Sequence, residues 1–313
     1  MKSINAIATK NHLDIEDNST KCMIKNNVNY ISSILVDEAG NPSEALLKLL
    51  EQFDLNTSNT FKNIVDDMQK TFLREQGKER WQIIDKYQDK KNKLIPLFSE
   101  LGMLHKVKSV QSHYSYALIL GGLLQSFRNR LAFLISEWER GVRFNEIVLL
   151  GSSRPLIPEK ESPEMLKNKT DPILLARSDW EFEGMLPTNE IEMMSFIFDQ
   201  AQLPEGLRSL KVTAINAPNK RDKNGEERRA QTSDTIITWL NETKPVAGSL
   251  LAVSSQPNIG YQHEVVHLCL PRKFQLETIG SGRSTQNLNV GEMVDSLARW
   301  SYCVNISRMM QEN

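Results

Sequence analysis

Cysteine is scarce in this sequence, and neither sign of charge is in excess. The 313 residues include three widely separated cysteines, Cys22, Cys269 and Cys303. An odd number of distant cysteines argues against a disulfide framework and is typical of proteins from a reducing compartment. Lys and Arg together number 38 and Asp and Glu 39, so the formal net charge is −1. Because there is no basic excess, we expect neither a nucleic acid nor an anionic membrane as a partner.

Long apolar runs and a leader sequence are also lacking. No segment approaches the run of about 18 apolar residues that a membrane-spanning helix requires. The N-terminal segment MKSINAIATKNHLDIEDNSTK carries acidic side chains early and has no sustained apolar core. It therefore differs from secretory signals and from transit peptides. We expect a cytoplasmic protein without a membrane span.

Three common nucleotide-binding and hydrolase motifs are missing. Gly121-Gly122 is followed by Leu-Leu-Gln, so the third glycine of the dinucleotide fingerprint is absent. The sequence has no Walker loop and no G-x-S-x-G elbow. Standard NAD, ATP and serine-hydrolase sites therefore lack their signatures in this chain.

The residues that are present divide the chain into three parts. Residues 1–40 are polar and predict a loosely ordered tail. Residues 41–110 predict a helical extension, which begins at Asn41-Pro42-Ser43-Glu44 and repeats apolar residues at helical spacing. The third of four helices expected there contains Trp81, Ile84 and Tyr87. Residues 111–313 predict a separate α/β domain.

Short apolar runs alternate with amphipathic helical patterns in this third part. The predicted strands are Tyr116–Leu120, Glu146–Leu150, Lys211–Ile215, Ser249–Val253 and Phe274–Ile279, and the predicted helices cover about 124–140, 188–203, 230–241, 260–268 and 290–309. Such alternation implies parallel strands joined by right-handed crossovers. The expected fold class is therefore α/β, with a Rossmann-like parallel sheet, helices on both faces and an α-helical N-terminal extension. A Pro-rich insertion over residues 155–187 is typical of a lid, a partner surface or a disordered segment.

The residues that follow the predicted strands indicate a ligand-binding edge. In open parallel sheets, ligands bind beyond the carboxyl ends of the strands. Glycine lets a ligand approach the backbone there, and helix N-termini supply free amides. The candidate ligand-binding residues all lie close to these ends: Gly121, Gly122, Arg128, Gly151, Ser152, Ser153, Arg154, Glu190, Thr232, Asp234, Ser254, Ser255, Gln256 and Asn258. In the alternative interpretation, the Gly and Ser residues only make tight strand–helix turns.

Each charged group near this edge has two possible roles. Asp234 and Glu190 stand beside predicted helix starts, where a carboxylate caps the helix or hydrogen-bonds a ligand. The charged run 220–229 is a solvated loop, or it brings Arg228 or Arg229 to an anionic ligand. No residue is identified as catalytic.

One short motif supports a competing function. His263-Glu264-Val265-Val266-His267 has the H-E-x-x-H spacing that places two imidazoles on one helix face for zinc, with the glutamate as general base. Glu277 or Glu292 could be a third ligand. The run lies on a short predicted crossover helix, which favours packing histidines, so we expect no metal.

Taken in order, several segments resemble the YdcF/SanA/ElyC-like family of bacterial proteins. The match covers about residues 112–305, and it rests on six segments: Ala117-Leu118-Ile119-Leu120-Gly121-Gly122, Phe127-Arg128-Asn129-Arg130-Leu131, Ile147-Val148-Leu149-Leu150-Gly151-Ser152-Ser153, Thr188-Asn189-Glu190-Ile191-Glu192, Gln231-Thr232-Ser233-Asp234-Thr235 and Val253-Ser254-Ser255-Gln256-Pro257-Asn258. Asn258 stands where the family has a histidine. Gln231 and Thr235 replace two asparagines.

The resemblance implies a Rossmann-like domain with a ligand at the strand ends. One family member binds S-adenosylmethionine, and envelope-associated members with a membrane anchor are linked to cell-wall precursor metabolism. We therefore expect the chain to bind a small anionic or nucleotide-like ligand, with S-adenosylmethionine as the candidate. Transferase or hydrolase activity is left open. The alternatives are a zinc metallopeptidase, or a non-catalytic module that binds a protein partner through its N-terminal helices.

Overall fold

The structure is a computed structural model that describes residues 34–55, 57, 60–221 and 225–311. Most of the predicted N-terminal tail lies outside the described residues. In chain order, the described α-helices and strands are α1 (Glu44–Glu51), α2 (Phe61–Phe72), α3 (Lys91–Glu100), β1 (His113–Leu120), α4 (Leu124–Glu139), β2 (Arg143–Ser152), α5 (Pro163–Leu166), α6 (Glu190–Gln200), α7 (Glu205–Arg208), β3 (Lys211–Ala217), β4 (Lys220–Arg221), β5 (Glu227–Arg228), α8 (Thr232–Thr243), β6 (Ser249–Ser255), α9 (Ile259–Cys269), β7 (Gln275–Ser281) and α10 (Val290–Gln311).

The chain forms two compact units, each assembled from separate stretches of sequence. The first unit contains Met1–Val107, Gln256–Leu268 and Gly282–Asn313. The second contains Lys108–Ser255 and Cys269–Ser281. None of the helices in the described part of the chain is long and apolar enough to cross a membrane.

A parallel sheet forms the centre of the second unit. Its five strands lie in the order β3-β2-β1-β6-β7, and each neighbouring pair is parallel. Ala117 in the middle of β1 is paired with Ile147 of β2 on one side and Leu251 of β6 on the other. The two short strands β4 and β5 form a separate antiparallel pair. The Rossmann-like α/β class is confirmed, because the chain winds outward from β1 in both directions.

Helices cover both faces of this sheet because its strands are apolar on both sides. On one face, Ile119 of β1 belongs to a buried cluster with Phe127 and Leu131 of α4 and Met194 of α6. On the other face, Trp239 of α8 makes an edge-on ring contact with Tyr116 of β1, with the ring centroids 5.5 Å apart. The sheet therefore has a helix layer on each side.

Helices α1, α2 and α3 share an apolar core with the C-terminal helix α10 in the first unit. The fully buried members include Leu46, Met68, Phe98 and Val294, one from each helix. Ser43 caps α1 and accepts a hydrogen bond from the backbone N of Leu46 at 3.3 Å, as its position before the apolar repeat predicts. The N-terminal helical extension is confirmed.

The prediction of a helix around residues 81–87 is wrong. The chain there forms two short 3-10 turns, Arg80–Gln82 and Gln88–Lys90. Ile84 is 80% exposed, so it does not share a buried face with Tyr87, which packs edge-on against Phe53. Without a common buried face, the apolar spacing alone does not stabilise a helix.

The Pro-rich insertion is ordered and packed, so its interpretation as a disordered segment is wrong. Leu166 and Leu174 join the buried cluster beneath α4 and α6, and Trp180 is buried. The Trp180 ring meets Phe196 of α6 edge-on, with the centroids 5.3 Å apart. Apolar side chains at intervals along the insertion therefore hold it against the second unit.

Candidate functional site

The carboxyl ends of the sheet strands meet at one edge of the second unit. All five strands run in the same direction, so the turns after them open at a common edge. The winding direction reverses between β1 and β6, and such a switch point is where open α/β sheets bind ligands. Gly121-Gly122 follows β1 at this point, and Ser255 ends β6.

Glu190 is a buried carboxylate at this edge. It is the first residue of α6, and its side chain is 10% exposed. Ser152, the last residue of β2, donates its hydroxyl hydrogen to Oε2 at 2.6 Å. A Cβ on Gly121 would lie 3.0 Å from Oε1 of Glu190 and 2.7 Å from the carbonyl oxygen of Leu150. Only glycine therefore fits between the end of β1 and this carboxylate.

Burial raises the pKa of the Glu190 carboxyl above its usual value. The Arg154 guanidinium, 3.8 Å away, opposes this shift, as do the Ser152 hydroxyl and the charge of Arg229, while the negative charge of Glu161 adds to it. The charged form of a carboxyl that is only partly compensated is stabilised by a cationic or hydrogen-bonding partner. Such groups concentrate at functional sites.

Arg154 and Glu161 form a buried two-pronged ion pair beside this carboxyl. Arg154 donates from Nη1 to Oε2 of Glu161 at 2.8 Å and from Nη2 to Oε1 at 2.9 Å. Oε1 of Glu161 also accepts from the backbone N of Leu124, the first residue of α4, at 3.2 Å. The residue before α4, Leu123, has no side chain that can cap the helix. Glu161 therefore places a carboxylate at the N-terminus of α4.

This carboxylate lies at the position where many open parallel α/β sheets bind a phosphate. The helix N-terminus after the first strand attracts anions, because its backbone N–H groups are free and its dipole is positive. In dinucleotide-binding folds the pyrophosphate lies there. In this structure, the Glu161 carboxylate supplies the anion at this position.

Other predicted residues place polar groups at the same edge. Ser153 donates its hydroxyl hydrogen to Oδ1 of Asn216, at the end of β3, at 2.9 Å. Ser254 is fully buried, and Ser255 is partly exposed. Gly151 lies against Ile191, since a Cβ there would come within 3.0 Å of that residue. Its role is close packing of β2 on α6.

Arg128 and Arg130 of α4 hold neighbouring backbone and side chains. Arg128 donates to Oδ2 of Asp171 at 3.0 Å and to the carbonyl oxygen of Met165 at 2.8 Å. Arg130 donates to the carbonyl oxygens of Leu120 and Gly121, and a Cβ on Gly122 would lie 3.2 Å from its Nη1. These contacts tie the insertion and the β1 turn to α4.

Asp234 caps α8, and Thr232 begins that helix. The Asp234 carboxylate accepts from the backbone N of Gln231 at 2.9 Å and from Nη1 of Arg228 at 2.7 Å. Both contacts occupy Oδ2, while Nη2 of Arg228 lies 3.3 Å from Oδ1. The ligand role expected for Asp234 stays a prediction, whereas its capping role is present in the structure.

Two further predicted residues, Gln256 and Asn258, belong to the first unit. Nε2 of Gln256 donates to the carbonyl oxygens of Gly102 at 2.6 Å and His105 at 3.0 Å. Oδ1 of Asn258 accepts from the Ser296 hydroxyl at 3.1 Å. Both amides therefore join the segment after β6 to other parts of that unit.

The H-E-x-x-H residues lie on α9 and are largely buried. The rings of His263 and His267 stack with centroids 6.2 Å apart. Burial, with repulsion from His267, lowers the pKa of His263 to about 3. Glu264 is fully buried and accepts from the Ser307 hydroxyl of α10 at 2.8 Å. These contacts are those of a packed helix.

The suggested third zinc ligands are engaged elsewhere. Glu277 accepts from the backbone N of Val110 at 2.5 Å and from the Tyr114 hydroxyl, and Glu292 is paired with Arg283. Within the described ranges, no group of three or more His, Cys, Asp or Glu side chains could hold a metal ion.

The buried thiol of Cys269 has its pKa raised to about 12 by desolvation and the nearby charge of Asp234, so it is a poor nucleophile.

Sequence reasoning missed Glu161 and Asp171, the two buried acidic residues of the insertion that pair with arginines. A signal for Glu161 was present in the sequence. The helix that starts at Leu124 follows Gly121-Gly122-Leu123 and has no Ser, Thr, Asp or Asn to cap it. A helix start without its own cap needs an acceptor from elsewhere.

Comparisons with known proteins add no identification. No protein-family model matches the chain, and no curated protein matches it.

Proposed function

We propose that the second unit binds a small nucleoside-like ligand at the carboxyl edge of its sheet, with S-adenosylmethionine as the candidate. The observation that carries this proposal is Glu190, a buried carboxyl with a raised pKa, held at the end of β1 and β2 by Ser152 and Gly121. A carboxyl at this position is suited to a ribose hydroxyl, an ammonium group or a sulfonium centre.

S-adenosylmethionine has no phosphate, so it does not compete with Glu161 for the N-terminus of α4. That side chain already satisfies the N-terminus of α4 and is fixed there by Arg154. A dinucleotide would need to displace this buried ion pair, and leaving Arg154 without its partner would cost about 3–5 kcal/mol. S-adenosylmethionine, which carries positive charge on sulfur and nitrogen, needs no such displacement.

A binding measurement on the full chain tests this proposal. We expect isothermal titration calorimetry to detect S-adenosylmethionine binding to the wild-type protein and little or no binding of NAD. Glu190→Gln keeps the size of the side chain but removes its charge, and should weaken binding about tenfold or more, the scale of one charge-assisted hydrogen bond. The wild-type affinity should rise as the pH increases through the raised pKa of Glu190, because deprotonation of this carboxyl strengthens its interaction with a cation.

Glu192→Gln is the matched control. Glu192 lies in the same first turn of α6 but is exposed and accepts hydrogen bonds from Thr188, so its substitution should leave the affinity unchanged. Equal binding by the wild-type protein and Glu190→Gln would refute the assignment of this carboxyl. Preference for NAD over S-adenosylmethionine would refute the assignment of the ligand.

A further inference from the structure

Two arginines contact one buried aspartate in the first unit, and the charge of a third arginine acts on it. Asp295 of α10 is fully buried and accepts hydrogen bonds from Nη1 of Arg74 at 2.7 Å and from Nε of Arg299 at 3.0 Å. The charge of Arg80, in the first 3-10 turn, interacts with those of Asp295, Arg74 and Arg299. Tyr261 of α9 lies near the same three arginines. This arginine cluster (Arg74, Arg80 and Arg299) plays no part in the ligand site proposed for the second unit.

Arg80 has no acceptor in the cluster. Its side chain makes no hydrogen bond with any residue that the structure describes, and its Nε atom is buried without a partner. A buried unpaired donor of this kind is costly, and more so when charged. Arg74 uses Nε for the Lys78 carbonyl oxygen and Nη1 for Asp295, so it donates from Nη2 to none of the described residues.

The cluster also has an excess of positive charge. Three guanidinium groups lie near the buried carboxylate of Asp295, and the only other carboxylate charge that acts on Arg74 or Arg80 among the leading contributions is that of Glu79, on Arg74. Desolvation lowers the pKa of both Arg74 and Arg80, and repulsion between neighbouring arginines adds to it. An anion with several acceptor oxygens would suit these donors.

We propose that Arg80, together with Arg74 and Arg299, forms a binding site for a phosphate-type oxyanion. Guanidinium groups bind phosphate through two parallel hydrogen bonds, and Arg80 has its whole fork free for such a contact. A phosphate presents at least three acceptor oxygens and up to two negative charges. It can therefore engage more than one guanidinium group, and it adds negative charge to that of Asp295.

Calorimetric titration of the full chain with inorganic phosphate tests this site. We expect saturable binding of phosphate by the wild-type protein and no comparable binding of acetate or chloride at equal ionic strength. Arg80→Gln should weaken phosphate binding about tenfold or more. Arg283→Gln, at an arginine of the same unit already paired with Glu292, should leave it unchanged.

Thermal melting separates this role from a structural one. Since Arg80 donates no hydrogen bond to a described residue, Arg80→Gln should melt at the same temperature as the wild type, or higher, in phosphate-free buffer. Added phosphate should then raise the melting temperature of the wild type but not that of the variant. A lower melting temperature for Arg80→Gln without phosphate, undiminished phosphate binding by that variant, or equal binding of acetate would each overturn the proposal.

Discussion

At the scale of single residues, the folded protein holds Glu190 at a cost in stability. Its pKa is raised by burial, so the folded state binds the proton more tightly than the unfolded chain does. This proton contributes stability below the unfolded pKa, and that contribution is lost as the pH rises through the folded pKa. Carboxyls with perturbed pKa values concentrate at functional sites.

Glu190→Gln should therefore unfold at higher urea concentration than the wild type at pH 7, with the difference shrinking towards pH 4. The amide can still accept the hydrogen bond from Ser152 but needs no desolvated charge. Glu192→Gln should change stability in the opposite direction at pH 7, because hydrogen bonds from Thr188 lower the pKa of Glu192. Equal or lower stability of Glu190→Gln at pH 7 would show that the charged form is well accommodated, contrary to this account.

At the scale of elements, the insertion between β2 and α6 is fixed by ion pairs as well as by apolar contacts. Glu161 joins Arg154 to the first turn of α4, and Asp171 joins Arg128 of the same helix. Both pairs are buried, so removing one partner leaves an uncompensated charge. The insertion is thus built into the edge that carries the proposed site.

Glu161→Gln should lower the free energy of unfolding by about 3–5 kcal/mol, as expected when one partner of a buried ion pair is removed. Urea denaturation provides the measurement. Glu159→Gln, at an exposed position two residues away, should change stability by less than about 0.5 kcal/mol. If the free energy of unfolding falls by a similar amount in the two variants, the Arg154–Glu161 pair does not hold the insertion.

Periodicity predicted the elements whose buried faces are continuous. Strands such as β6 and helices such as α4 were found within a few residues of their bounds, because each presents an uninterrupted apolar run or stripe to the sheet. The same reasoning failed at Trp81, Ile84 and Tyr87, whose spacing is helical but whose side chains do not share a buried face. Spacing shows which residues could align, while burial decides whether they do.

At the scale of the whole molecule, the sheet and its strand ends could be predicted from sequence, but the partners of the site residues could not. The alternation of strands and helices predicted that Gly121, Ser152 and Ser255 lie at one edge, because the carboxyl ends of parallel strands meet at the same edge of a sheet. The pairing of Arg154 with Glu161 depends on how the insertion folds back, and local sequence does not encode that path. The core that α1–α3 share with α10 likewise joins residues more than 200 positions apart in sequence, such as Met68 and Val294.

The most direct test of the central claim is a crystal structure of the full chain grown with S-adenosylmethionine. We predict ligand density at the carboxyl edge of the parallel sheet, with a hydroxyl, ammonium or sulfonium group within contact distance of the Glu190 carboxyl. The Arg154–Glu161 pair should remain intact at the start of α4. Density elsewhere on the chain, or none at ligand concentrations that saturate binding in solution, would contradict the account.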